Sequence, residues 1–179
     1  IDGKKMDLQR VAQIGNQGVI LLISDSTNAE KEGMSMSEAD VAKHLEREIY
    51  QSTGLTVVSS FASSLPRVQS VFKIAKNLNK KILILGKSME KNIKLAKGLD
   101  YLDIDEKIMI TTKQFEDIDR SKVLILATGA QGELLAALNR LSSDNYENVK
   151  LESGDTVIFS SGVIPGNEKQ IGSLINNLL

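Results

Sequence analysis

Two apolar rhythms alternate along this chain. Four short runs, VILLI (19–23), TVVSSF (56–61), VLILA (123–127) and TVIFSS (156–161), are each followed by small and hydroxylated residues: SDSTNAE, ASSLPR, TGAQGE and GVIPGNE. Between the runs, apolar residues recur at helical spacing, as in Val41, Leu45 and Ile49. Contiguous Val, Ile and Leu alternating with amphipathic helices predict an α/β fold around a mainly parallel sheet, and such sheets bind ligands beyond the carboxyl ends of their strands. All four polar loops then fall on one rim.

The elements follow from this pattern. A helix over Asp7–Ile14 precedes a first strand at Val19–Ile23, and Ser37 caps a helix that continues to about Gln51. A strand over Leu55–Ser60 leads to a helix over Pro66–Leu78, with proline in the first turn, where its missing N–H costs nothing. The strand Lys81–Leu85 ends at Gly86, and the helix Ser88–Leu99 places Met89, Ile93 and Ala96 on one side. The acidic, irregular stretch Asp103–Asp119 reads as a short strand and helix at one edge. Beyond it come a strand at Val123–Ala127, a helix at Glu133–Leu141, a strand at Asp155–Ser160 entered through Ser153 and Gly154, and a closing helix from Gly166. No internal repeat and no low-complexity tract interrupts the alternation.

Composition places the chain among ordinary globular proteins: 179 residues, 41% hydrophobic and 25% charged, enough for one domain with a substantial core. No apolar run approaches the roughly 20 residues that cross a bilayer, and no basic-then-apolar leader pattern follows Ile1. With no cysteine, disulfides and thiolate metal sites are excluded, and a cytoplasmic protein without membrane association is expected. The start at Ile1 and the finish on the apolar helical segment IGSLINNLL suggest a single domain, residues 1–179, excised from a longer protein.

Charge is segregated. Residues 67–97 contain nine basic side chains against the single acid Glu90, a segment of +8 in a chain of net −1, so the remainder is −9. A local phosphate-binding surface needs such segregation. Lysines on outer helix faces are also simply what solvent exposure selects, so the segment admits both readings.

Autonomous catalysis finds little support. The only histidine, His44, has Asp40 and Glu48 at i−4 and i+4 and belongs on a polar helix face. One His and no Cys cannot supply a conventional zinc site. Neither a Gly-x-x-x-x-Gly-Lys phosphate loop nor a Gly-x-Gly-x-x-Gly fingerprint is present; in TGAQGE, Gly129 and Gly132 let a strand turn into a helix, whose start could hold a phosphate. Asp25, ending the first apolar run, is the best-placed acid, either as a site residue or as an Asx-turn former.

Five separated motifs, SDSTNAE (24–30), SFASSLPRVQS (60–70), GKSM (86–89), TGAQGE (128–133) and GDTVIFSSGVIPGNE (154–168), together resemble the β-CASP region of ribonuclease J enzymes, in the family's order and over most of the chain. The resemblance implies a Rossmann-like three-layer domain inserted in a metallo-β-lactamase domain. The pair would cleave single-stranded RNA in the cleft between them with two zinc ions, as an endonuclease, a 5′-to-3′ exonuclease or both. The zinc ligands would lie outside this segment, which alone would be inactive, and a homo-oligomeric parent is compatible with the family.

Residue by residue, the resemblance matches Asp25 to the family's acidic motif A, which orients an active-site histidine from a downstream motif, with Ser26 and Thr27 as adjacent hydroxyls. Ser60, Ser63, Ser64 and Arg67 align with a loop facing the RNA channel, where Arg67 suits bidentate phosphate contact. Lys87 stands where arginine is frequent. Gly129, Gln131, Gly132 and Glu133 match the family's Gln-Gly-Glu loop, and Pro165, Gly166, Asn167 and Glu168 match Pro-Gly-Asn-Glu; for both groups, shaping the rim and contacting RNA are equally compatible. Departures weaken individual contacts: Pro66 replaces a common histidine, Ala130 a serine, and Gly162-Val163 a Ser-Pro pair. Two alternatives stay open: an α/β module binding a small phosphorylated ligand at the rim, and a structural or dimerisation domain. With only 4% aromatic residues, base stacking cannot be a broad feature.

Overall fold

The computed structural model describes residues 6–26, 29–30 and 32–179, which divide into two units, residues 1–41 and 42–179. In the first unit, helix α1 (Leu8–Gln17) starts at Asp7, whose carboxylate accepts from Arg10 N–H at 2.9 Å and so satisfies a donor of the first turn. No residue of α1 is buried. Helix α2 (Glu38–Gln51) begins in this unit with Ser37 Oγ accepting from Asp40 N–H at 3.2 Å, as the capping signal predicts.

The run Val19–Ile23 is not a strand, contrary to its sequence pattern. Its five side chains are exposed, and no strand among the described residues pairs with it. Strand propensity is realised only when a neighbouring strand takes up the backbone N–H and C=O groups. VLILA has two such neighbours and is wholly buried; VILLI has none among the described residues.

The second unit is built on a five-stranded parallel sheet of order β3-β2-β4-β1-β5, formed by β1 (Thr56–Ser59), β2 (Lys81–Leu85), β3 (Met109–Ile110), β4 (Val123–Ala127) and β5 (Thr156–Phe159). Strands β2 and β4 have the bounds the sequence predicts. Side chains alternate between the faces with the strand period of two. Val58, Ile82, Ile84, Leu124 and Leu126 meet α2, α3 (Leu65–Asn77) and α4 (Lys87–Gly98). Val57, Leu83, Leu85 and Ile125 meet α5 (Thr112–Phe115), α6 (Ala137–Ser142) and α7 (Glu168–Leu178) on the other face. This is the three-layer α/β architecture expected. The stripe Met89, Ile93 and Ala96 is buried, as its spacing requires, and His44 is exposed on the polar side of α2.

The acidic stretch forms the predicted edge: a 3-10 turn at Glu106–Ile108, the two-residue strand β3, and α5, held by a capping box between Thr111 and Gln114. Helix α6 begins four residues later than its pattern suggests. Residues 133–136 instead form a turn in which Ala136 N–H donates to Glu133 O at 3.0 Å, leaving Leu134 and Leu135 exposed. At the amino end of the sheet, the buried Lys80 donates through Nζ to the Ser121 carbonyl. Burial lowers its pKa below the ordinary lysine value, against an opposing pull from Asp119.

Candidate functional site

Strands β1 and β4 are neighbours, yet the chain leaves β1 for α3 on one face and leaves β4 for α6 on the other. Loops that part in this way open a crevice at the carboxyl ends of the strands, the place where open parallel sheets bind ligands. Pairing runs one residue beyond each strand. Ser60 N–H donates to Ala127 O at 3.1 Å, Thr128 N–H to Leu85 O at 3.2 Å, and Ser160 N–H to Ser59 O at 2.8 Å. The four motif loops after β1, β2, β4 and β5 therefore leave the sheet at one level; SDSTNAE, expected on this rim, follows a run that is not a strand of the sheet and is not among them.

Two buried side chains then bind these loops to one another. Gln131, in the loop after β4, donates through Nε2 to Gly162 O at 2.9 Å and Ser161 Oγ at 3.3 Å. Its Oε1 accepts from Ile164 N–H at 2.9 Å and Asn167 Nδ2 at 3.3 Å. The full hydrogen-bonding capacity of this amide is spent on the loop after β5. Arg67, in the first turn of α3, donates through Nη1 to Ser160 O at 2.6 Å and also to Ser160 Oγ. At 8% exposure Arg67 is a brace between the loops that follow β1 and β5. Asn92 of α4 adds a third tie, donating to Ala62 O at 2.9 Å.

Replacing Gln131 by leucine would keep the volume and remove all four side-chain bonds. The released backbone groups lie beside exposed residues and can turn to water, so the expected loss is about 1–2 kcal/mol, with faster amide exchange at Ile164 as the local readout. An unchanged Ile164 exchange rate would show that the clamp does not hold the loop.

The other sequence candidates fall into distinct environments. Ser63 and Lys87 are exposed, Ser64 is half-buried at the N-cap of α3 without a side-chain cap bond, and Gly129 and Gly132 are buried. Glu133 is exposed, with Oε2 accepting from Gln131 N–H at 3.1 Å. Ser59 and Ser60 are buried, and their hydroxyls have no hydrogen-bond partner among the described residues. Asp25 and Ser26 are exposed in the first unit, and Thr27 lies outside the described residues. Sequence reasoning passed over Ser160, Ser161 and Asn92 as bracing residues. The only signal was the pair of serines closing the β5 run, which serves a turn equally well.

The basic segment is less uniform than its composition. Arg67 and Lys80 are buried. Lys76 lies 3.8 Å from Asp105, Lys97 is paired with Glu106, and Lys81 donates to Lys107 O at 3.1 Å. The acidic stretch thus offsets part of the charge. Lys73, Lys87, Lys91 and Lys94 are exposed and have no ion-pair partner among the described residues, and the last three share one face of α4 at i, i+4 and i+7. Among the described residues, no three His, Asp or Glu side chains converge in a way that could hold a metal ion.

Residues 53–178 match the family described as ribonuclease J, beta-CASP domain. The chain belongs to this family. Relatives include ribonuclease J of Thermus thermophilus, 42% identical over 99% of the chain, of Synechocystis, 40% identical over 100%, and of Mycolicibacterium smegmatis, 37% identical over 99%. The chain spans 31%, 28% and 32% of these proteins, about a third of their length. Its β-CASP membership favours the nuclease-domain reading over a free-standing phosphorylated-ligand module or a purely structural domain. The rim loops tied together by Gln131 and Arg67 are the same segments that carry the family-like motifs. No helix among the described residues is long and apolar enough to cross a membrane.

Proposed function

We propose that this chain is the RNA-guiding part of a cytoplasmic ribonuclease J-type enzyme, whose zinc-dependent phosphodiester hydrolysis takes place at a centre held by residues outside it. The carrying observation is the convergence of four motif loops on one braced rim, beside an α4 face bearing Lys87, Lys91 and Lys94. A single RNA strand would follow that face by its phosphates, with Ser63 and Ser64 offering hydroxyls at the crevice and Glu133 bounding it. Gln131, Gly132 and Gly129 act by shaping the loops, and Arg67 by fixing Ser160. Asp25 is a positioning residue for a histidine elsewhere in the enzyme, with Ser26 and Thr27 beside it. The substrate is expected to be single-stranded RNA cut internally, from a 5′-monophosphate end, or both.

Binding of a 5′-phosphorylated single-stranded RNA, followed by fluorescence anisotropy over a salt series, tests the guiding role. The affinity should fall steeply with salt, and Lys87→Gln with Lys91→Gln should shallow the log–log slope by about 0.7 for each phosphate no longer neutralised. A slope unchanged by the double substitution would sink the α4 track. In the complete enzyme, Asp25→Ala should lower cleavage about 10–100-fold while leaving RNA affinity intact. Full cleavage by that variant would remove its positioning role.

A further inference from the structure

Strand β2 runs to Leu85, but its outer neighbour β3 pairs with it only at Ile82 and Leu83. Past Ile110 the chain turns away into the Thr111 capping box of α5. The carboxyl end of β2 therefore has β4 on one side and, among the described residues, no strand on the other. Beside this shortfall lies a cavity of about 510 Å³, within the range of small-molecule sites.

Its lining divides by chemistry. Leu83, Ile84, Ile93, Ile104, Met109 and Ile110 form an apolar wall. Helix α4 runs along it from Glu90 to Lys97, seven helical rises or about 10 Å, which makes the site a slot that suits an elongated body. Lys94 and Lys97 stand on its solvent side. Glu106 neutralises Lys97, whereas Lys94 has no ion-pair partner among the described residues. Burial raises the pKa of the Tyr146 hydroxyl, and Glu90, the one acid of α4, adds to that rise. The charged residues that line the slot balance, Lys94 and Lys97 against Glu90 and Glu106; the positive excess comes from Lys87 and Lys91 elsewhere on α4, and that field favours a negative head group at Lys94.

We propose that this slot binds an amphipathic organic anion of the acyl-carboxylate class, its apolar chain against Ile93, Met109 and Ile110 and its carboxylate at Lys94. The slot lies away from the β1/β4 crevice but shares Lys94 with the phosphate track proposed for α4, so its binding is measured without RNA and stands or falls independently of the RNA-guiding role. Hydrocarbon in the slot would complete the packing that the short β3 leaves open, and the carboxylate would stay at the wet edge.

The test is a methyl-detected NMR titration of the full chain with sodium octanoate, and with 1-octanol as the uncharged counterpart. Saturable shifts are expected at the methyls of Ile93, Ile104, Met109 and Ile110, with octanoate about fivefold tighter than octanol. Lys94→Gln, an exposed substitution that leaves the fold intact, should remove most of that difference without weakening octanol. Met109→Trp, which fills the slot, should abolish both. Shifts spread evenly over the exposed Leu95 and Leu99, or no saturation at all, would overturn the site; equal affinity for the two probes would overturn the anion assignment.

Discussion

Replacing Asp155 by alanine is expected to remove about 3 kcal/mol of stability from the second unit. The carboxylate is 6% exposed and serves three donors at the amino end of the sheet. Its Oδ1 accepts from Leu55 N–H at 2.9 Å, and its Oδ2 accepts from Glu152 N–H at 2.8 Å and from Arg120 Nη2. Leu55 is fully buried, so its amide would lose the acceptor that satisfies it. Arg120 would keep Lys150 O at 3.0 Å, Glu152 at 3.2 Å and its place over the Phe115 ring, which limits the cost of the orphaned cation. Urea unfolding should show a lower midpoint at unchanged slope. Asp155→Asn retains an acceptor for Leu55 but turns an amide N–H₂ toward donors, so it should fall between wild type and alanine. A midpoint for Asp155→Ala within experimental error of wild type would mean that the sheet's amino end is held by strand pairing alone.

Gly132→Val should cost at least as much, about 3–4 kcal/mol, and should also disturb the rim. Gly132 has φ +75°, a conformation that a β-branched residue adopts only under strain. Space is the larger obstacle. A Cβ there would stand 2.6 Å from the Gln170 carbonyl carbon and 2.7 Å from its oxygen, backbone atoms of α7 that cannot rotate aside. Helix α7 would have to withdraw, taking the buried Ile171 and Leu174 with it. The contrast is Gly166→Ala. Gly166 also has positive φ, +98°, but nothing lies within 4 Å of its Cβ position, so only conformational strain of about 1–2 kcal/mol is expected. Thermal unfolding of the two variants separates close approach from backbone preference. Equal losses would place the Gly132 requirement in the dihedral angle alone.

The rim was legible in part. The loops after β1, β4 and β5 were readable because each follows a short apolar run with strand propensity, a signal that VILLI shares without forming a strand. Which of their polar residues face RNA and which face the protein was not readable. Gln131 and Arg67 have the composition of binding residues, and the structure turns both inward to the loop after β5. Loops have no periodicity from which to infer a side chain's direction. The partners of Arg67 and Gln131, 93 and 31 residues away along the chain, therefore leave no trace in local pattern.

What the sequence by itself determined is the local grammar: the strands β2 and β4 with their bounds, the buried stripe of α4, the cap at Ser37, and the family-like motifs in order. Each depends on residues within a few positions of one another. Only the tertiary structure decided that VLILA is a central strand while VILLI, of similar hydrophobicity, stays unpaired, and that α6 starts late. It also decided that β3 stops short of β2 and opens a slot. A strand exists only by virtue of its neighbours, and which neighbours a run acquires depends on the path of the whole chain.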